Sequence, residues 1–115
     1  MLVNINPSYR PFELKYVLVQ SDAVALFLVR QFKSSNYYEM LDEICPELAA
    51  CSTGKFHCDA FPRLRNVVAI DEQAPAGAIT WSEMVSAGDR ITADELSAAS
   101  QGLAQSDPIN IQYTS

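Results

Sequence analysis

Basic side chains are scarce in this sequence, histidine occurs once, and no apolar stretch is long. Eight Lys and Arg stand against fourteen Asp and Glu, a formal net charge of −6. That balance argues against a nucleic-acid backbone or an anionic membrane surface as partner, since both reward clustered cations. The longest apolar run, Ala23 to Val29, is strand-sized and far short of the ~20 residues needed to cross a bilayer. The start, Met1-Leu-Val-Asn-Ile-Asn-Pro7, lacks the basic and apolar regions of a secretory signal, so the expected compartment is the cytoplasm. Cysteine is sparse and odd in number: Cys45, Cys51 and Cys58 are expected as reduced thiols rather than a disulfide framework.

What is there is the material of one domain, or a piece of one: 115 residues, 49% of them hydrophobic, with no repeat, low-complexity tract or linker. Short apolar runs alternate with amphipathic stretches, the pattern of β/α units on a mostly parallel sheet with flanking helices in three layers. Leu2–Ile5 reads as a strand. Asn6-Pro7 breaks it, and Pro11 suits a first helical position because its missing N–H would have no partner there. Leu14, Val17, Leu18 and the ring of Tyr16 then share one side of a helix ending near Ser21-Asp22. Ala23–Val29 is continuously apolar, as an interior strand covered on both faces should be.

Asn36 is placed to cap a helix in which Tyr37, Met40, Leu41, Ile44 and Leu48 recur at helical steps, interrupted at Pro46. Residues 52–62 have no period and read as a loop. Asn66–Ile70 is a third buried strand, ended by Asp71-Glu72. Two capping boxes follow, Thr80-x-x-Glu83 and Thr92-x-x-Glu95, each predicting a helix start. The first helix carries Trp81, Met84 and Val85 to Gly88; the second carries Leu96, Ala99 and Leu103 before Asp107-Pro108. Ile109–Tyr113 alternates apolar and polar, a strand with one covered face.

The turn after a strand's carboxyl end is where α/β proteins bind ligands, and a glycine-rich version can cradle phosphates. Ile109-Asn-Ile-Gln-Tyr-Thr-Ser115 resembles the strand and opening of the AMP-forming acyl-CoA synthetase signature, in which Tyr-Thr-Ser is followed by a glycine-rich loop and Pro-Lys-Gly. Val3-Asn-Ile-Asn-Pro-Ser-Tyr-Arg-Pro-Phe-Glu-Leu14 is similar to the motif that precedes it in that family. Cys45-Pro-Glu-Leu48 and Leu64-Arg-Asn-Val-Val-Ala-Ile-Asp71 lie between them in family order. Together the four motifs cover nearly the whole chain and point to the fatty-acid branch.

The resemblance implies a ligase that joins a fatty carboxylate of medium or long chain to AMP, using ATP with Mg2+, and then passes the acyl group to coenzyme A. Thr114 and Ser115 are the two functional positions that carry over, as the start of the loop gripping the ATP phosphates. No catalytic residue and no metal ligand carries over. The loop's glycines and lysine, the adenine and ribose contacts and the C-terminal domain are absent, so residues 1–115 are expected to be one partial N-terminal AMP-binding domain. Alone it should be inactive, should hold no cofactor tightly and should self-associate through exposed strand edges. The rival reading is a small free-standing α/β binding or interaction module without catalysis.

Other constellations carry less. Cys51, His57 and Cys58 lack the spacing of a zinc site, and neighbouring His57 and Cys58 project apart rather than forming a catalytic pair. Asp42-Glu43 and Asp94-Glu95 read as solvated helix faces, because adjacent helical residues do not face each other. Trp81, Tyr37 and Tyr38 read as packing residues.

Overall fold

The computed structural model describes residues 1–114. Its elements run β1 (Leu2–Asn4), α1 (Pro11–Ser21), β2 (Ala25–Leu28), β3 (Gln31–Phe32), β4 (Ser35–Asn36), α2 (Tyr37–Ile44), a 3-10 helix (Pro46–Ala50), β5 (Asn66–Ala69), β6 (Ile79–Thr80), α3 (Trp81–Gly88), α4 (Ala93–Gln101) and β7 (Asn110–Gln112). The architecture is α/β with parallel sheets. β1 pairs with β7, and β2, β5 and β6 form a second sheet in that order, all parallel. β3 and β4 make a separate antiparallel hairpin.

Local chemistry explains most boundaries. Pro11 opens α1 with the Arg10 N–H donating to the Glu13 carboxylate at 2.9 Å, and Asp22 stops it in the left-handed conformation at φ 49°. The Asn36 carboxamide oxygen accepts from the N–H groups of Tyr38 and Glu39 at the head of α2. Both capping boxes form as read from the sequence: Thr80 and Thr92 each accept from the third-residue N–H at 3.2 Å, and Glu83 and Glu95 reach back to the threonine N–H groups at 2.7 and 2.8 Å. Pro46 ends α2 and restarts the chain as a 3-10 turn.

The core gathers Leu14 and Leu18 of α1, Leu26 of β2, Met40, Leu41 and Ile44 of α2, Leu48, and Val67 of β5. Residues 52–62 form no regular element, yet Phe56, Cys58 and Phe61 are buried in that core. Tyr16 departs from the sequence reading. Its ring is half exposed and meets Tyr113 edge-on at 6.5 Å instead of entering the core. β2 is shorter than its apolar run, Val24 just before it is about half exposed, and within it Leu26 is buried while Phe27 on the opposite face stays about half exposed, so among the described residues the Phe27 face of this strand lacks the expected cover. No residue of α3 or α4 is buried.

Candidate functional site at the carboxyl edge

Parallel strands deliver their carboxyl ends to one edge of a sheet, and among the described residues β1, β2, β5 and β7 do so with polar residues just beyond them. In the β1–β7 ladder Asn4 lies opposite Gln112, so Asn6 and Thr114 leave the sheet at the same level. Asn6 folds its own turn, its side-chain oxygen accepting from the Ser8 N–H at 2.9 Å and its carbonyl from the Tyr9 N–H at 3.0 Å. Thr114 is exposed beside that turn. Ser115, its companion in the sequence reading, lies outside the described residues.

In the second sheet Leu28 lies opposite Ala69, so Arg30 and Asp71 emerge in step. The Asp71 carboxylate accepts from the Arg30 backbone N–H at 2.6 Å and from the Tyr38 hydroxyl at 2.7 Å. The Gln73 carbonyl stands 3.0 Å from the same hydroxyl. The Arg30 guanidinium donates to the Gln73 side chain at 3.2 Å and sits 5.3 Å from the centre of the Tyr38 ring. Burial, reinforced by the Asp71 carboxylate, pushes the Tyr38 phenol well above its usual range, so it stays protonated and donates. Tyr37 ties the two sheets' edges together, donating to the Pro7 carbonyl at 2.7 Å.

Tyr37 and Tyr38 are therefore hydrogen-bonded anchors as well as packing residues. The Tyr38–Asp71–Arg30–Gln73 group was not singled out from the sequence. Its signal was present, since Arg30 and Asp71 each stand two residues past an apolar strand, but their juxtaposition needs the strand register. Among the described residues this edge offers the exposed hydroxyls of Ser8 and Thr114 at an open turn and a braced wall of donors and acceptors, which suits holding a polar ligand better than proton transfer.

The thiols lie elsewhere. Cys45, Glu47 and Cys58 bring one ligand atom each within 4.8 Å of one another, a different trio from Cys51, His57 and Cys58. His57 instead contacts Asp59 at 2.8 Å on the surface. Cys45 and Cys58 have no exposure, and burial drives the Cys45 thiol far up from its ordinary value. A protonated, buried thiol behaves as a small apolar core group, opposite in character to the thiolate that binds metals. Asp42, Glu43, Asp94 and Glu95 are exposed, with Glu95 occupied in its cap.

The chain is an α/β protein with parallel sheets, a class in which ligands bind outside the carboxyl ends of the strands, where these polar turns lie. No family model matches the chain. Among curated proteins it is 40% identical over its whole length to the human medium-chain acyl-CoA ligase ACSF2, mitochondrial, covering 19% of that protein. It is 33% identical to the zebrafish (Danio rerio) protein of the same name, over 19% of its length. To the putative acyl-CoA synthetase YngI of Bacillus subtilis it is 30% identical, over 21% of its length. The chain belongs to the AMP-forming acyl-CoA synthetase family and spans about a fifth of the length of these relatives. Among the described residues no helix is long and apolar enough to cross a membrane.

Proposed function

We propose that residues 1–115 form one partial AMP-binding domain of a ligase that activates a medium- or long-chain fatty acid. In the first half-reaction a carboxylate oxygen attacks the α-phosphate of ATP, forming acyl-adenylate and releasing pyrophosphate. In the second the coenzyme A sulfur attacks the acyl carbonyl and AMP leaves. Thr114 and Ser115 begin the loop that holds the ATP phosphates through hydroxyl and backbone N–H groups. The observation that carries this reading is the register of β1 with β7. It sets Thr114 on an open carboxyl-edge turn in a chain that matches acyl-CoA ligases along its whole length. Asn6 shapes the neighbouring turn, and Tyr38 with Asp71 and Arg30 braces the next strand ends.

Magnesium belongs to the proposed parent reaction, where it shields phosphate charge. The described residues do not fit it: their one convergent ligand set, Cys45, Glu47 and Cys58, is two-thirds sulfur, whereas Mg2+ takes oxygen. ATP itself and residues outside these 115 must hold the ion. The chain alone therefore lacks ligase activity, and the flanking helices and sheets complete three layers only in the longer protein.

Two assays test the reading. The purified chain should give no ATP–pyrophosphate exchange with octanoate. A chimera carrying these residues in place of the matching segment of the Bacillus subtilis relative should form octanoyl-CoA from octanoate, ATP, Mg2+ and coenzyme A. In that chimera Thr114→Ala should lower kcat/KM roughly tenfold, about the worth of one hydrogen bond to a charged group. Exchange by the chain alone, or a folded chimera indifferent to Thr114, would sink the proposal.

A further inference from the structure

The two parallel sheets stop short of each other, and the space between them has the character of a missing strand. β1 uses one edge for β7, the Leu2 N–H donating to the Ile109 carbonyl at 2.8 Å. Backbone groups alternate sides along a strand, so Leu2 and Asn4 face β7 while Val3 and Ile5 face away from it. β2 uses one edge for β5: the Val24 and Leu28 carbonyls accept from the N–H groups of Asn66 and Ile70 at 3.2 and 2.8 Å. By the same alternation Ala25 and Phe27 face away from β5. Both unused edges line one cleft of about 580 Å3, bounded by residues 1–5 on one side and 23–27 on the other. At its far end an apolar cavity of about 280 Å3 continues between Ile5, Pro7, Leu28 and Tyr37. The gap thus runs along the full length of both strands, which point the same way through it.

We propose that a further strand, supplied by the ligase polypeptide outside these 115 residues, lies between β1 and β2, parallel to both, and joins the two sheets into one in the order β7, β1, inserted strand, β2, β5, β6. Two observations say what fills the gap. A strand residue takes up roughly 160 Å3 at ordinary rise, strand spacing and sheet separation, so the cleft accommodates three or four residues, the lengths of β1 and β2 themselves. The relatives are about five times as long as this chain, so their polypeptides contain ample sequence to provide it. The occupant is an apolar, extended segment whose N–H and C=O groups pair with Val3 and Ile5 on one side and Ala25 and Phe27 on the other. The 280 Å3 cavity is then interior space of the completed sheet rather than a ligand pocket. This inference rests on family membership and sheet geometry, and it stands or falls separately from the identity of the acid activated.

Hydrogen exchange followed by NMR tests it. In the isolated chain the amides of Val3, Ile5, Ala25 and Phe27 should exchange quickly while those of Leu26 and Val68 are protected. In the Bacillus subtilis chimera the four should slow by roughly a hundredfold or more, as internal ladder amides do. Fast exchange at all four in a folded chimera overturns the proposal, even if that chimera makes octanoyl-CoA. If the chimera fails to fold, the isolated chain still decides. Ala25→Pro removes an N–H that points into an open gap, so it should leave the melting midpoint within a few degrees of the parent, whereas Val68→Pro should abolish the cooperative melt. Equal damage from both would mean that this edge of β2 is already paired, within the chain or with a second copy, and would overturn it.

Discussion

Asp71 takes two of the shortest hydrogen bonds in the molecule, from a strand-end N–H and from the Tyr38 phenol, and it does so where β2 and β5 hand the chain over to loops. Removing one donor costs less than removing the shared acceptor, because the second case breaks two hydrogen bonds at once, leaving the Arg30 N–H without its carboxylate and the Tyr38 hydroxyl with only the Gln73 carbonyl at 3.0 Å. Tyr38→Phe should therefore lower stability by about 1 kcal/mol and Asp71→Ala by roughly 2 kcal/mol, measured by urea melts; equal costs would show that the carboxylate is not the hub. Gly77 is the other exacting residue. Its φ of +74° is costly for any side chain, and an added Cβ would sit 2.7 Å from the Cys51 Cβ. Gly77→Ala should cost about 2 kcal/mol or more. Measured against Cys51→Gly alone, the double variant Gly77→Ala/Cys51→Gly has no clash and should show only the backbone penalty, about 1 kcal/mol. A Gly77→Ala cost that is the same with Cys51 as with Gly at that position would mean that Cys51 does not set the constraint.

At the scale of elements, α3 and α4 are held by their first turns more than by packing, since neither buries a residue. The Thr80 N–H and then its hydroxyl hold the Glu83 carboxylate below its ordinary range, and Thr92 does the same for Glu95. A carboxylate whose folded pKa is depressed contributes stability above its unfolded value of about 4.3, and that contribution disappears as pH falls through the folded value. Acidification through that window should reduce the helical signal in far-ultraviolet circular dichroism, and the double variant Glu83→Gln/Glu95→Gln should show a smaller fall. An identical acid titration would show that the boxes do not govern these helices. Both starts were legible because a capping box is a four-residue signal that needs no tertiary partner. So were α1, β5 and the Asn36 cap of α2. The β3–β4 hairpin was not: its two-residue turn places Lys33 at φ 53°, where sequence rules look for Gly or Asn. β6 escaped notice because its two residues, Ile79–Thr80, run straight into the capping box of α3. The burial of Phe56 and Phe61 was hidden too, because a loop that folds into the core carries no periodicity. Of the site, the Thr114 turn could be read from a motif, whereas the Tyr38–Asp71–Arg30 group exists only through strand register.

For the whole molecule the decisive quantity is apolar surface left uncovered. Trp81, Val85, Ile91, Leu96, Leu103 and Ile109 are all exposed, and they follow one another along the stretch from α3 to β7, with Trp81 meeting the ring of half-exposed Phe27 at 6.4 Å. Opposing association is a net charge of −6, whose repulsion is screened beyond about 8 Å at physiological ionic strength. These two terms respond oppositely to salt, since screening weakens repulsion while apolar attraction persists. The isolated chain should accordingly self-associate in a concentration-dependent way, more strongly as sodium chloride is raised. Leu96→Glu with Leu103→Glu should shift it toward monomer by removing apolar area and adding charge. Sedimentation equilibrium reads both effects. A monomer at every protein and salt concentration would mean that the uncovered face does not drive association. A mass that falls with salt would mean that ion pairs hold the assembly, and either result would require a different account of what this apolar face meets.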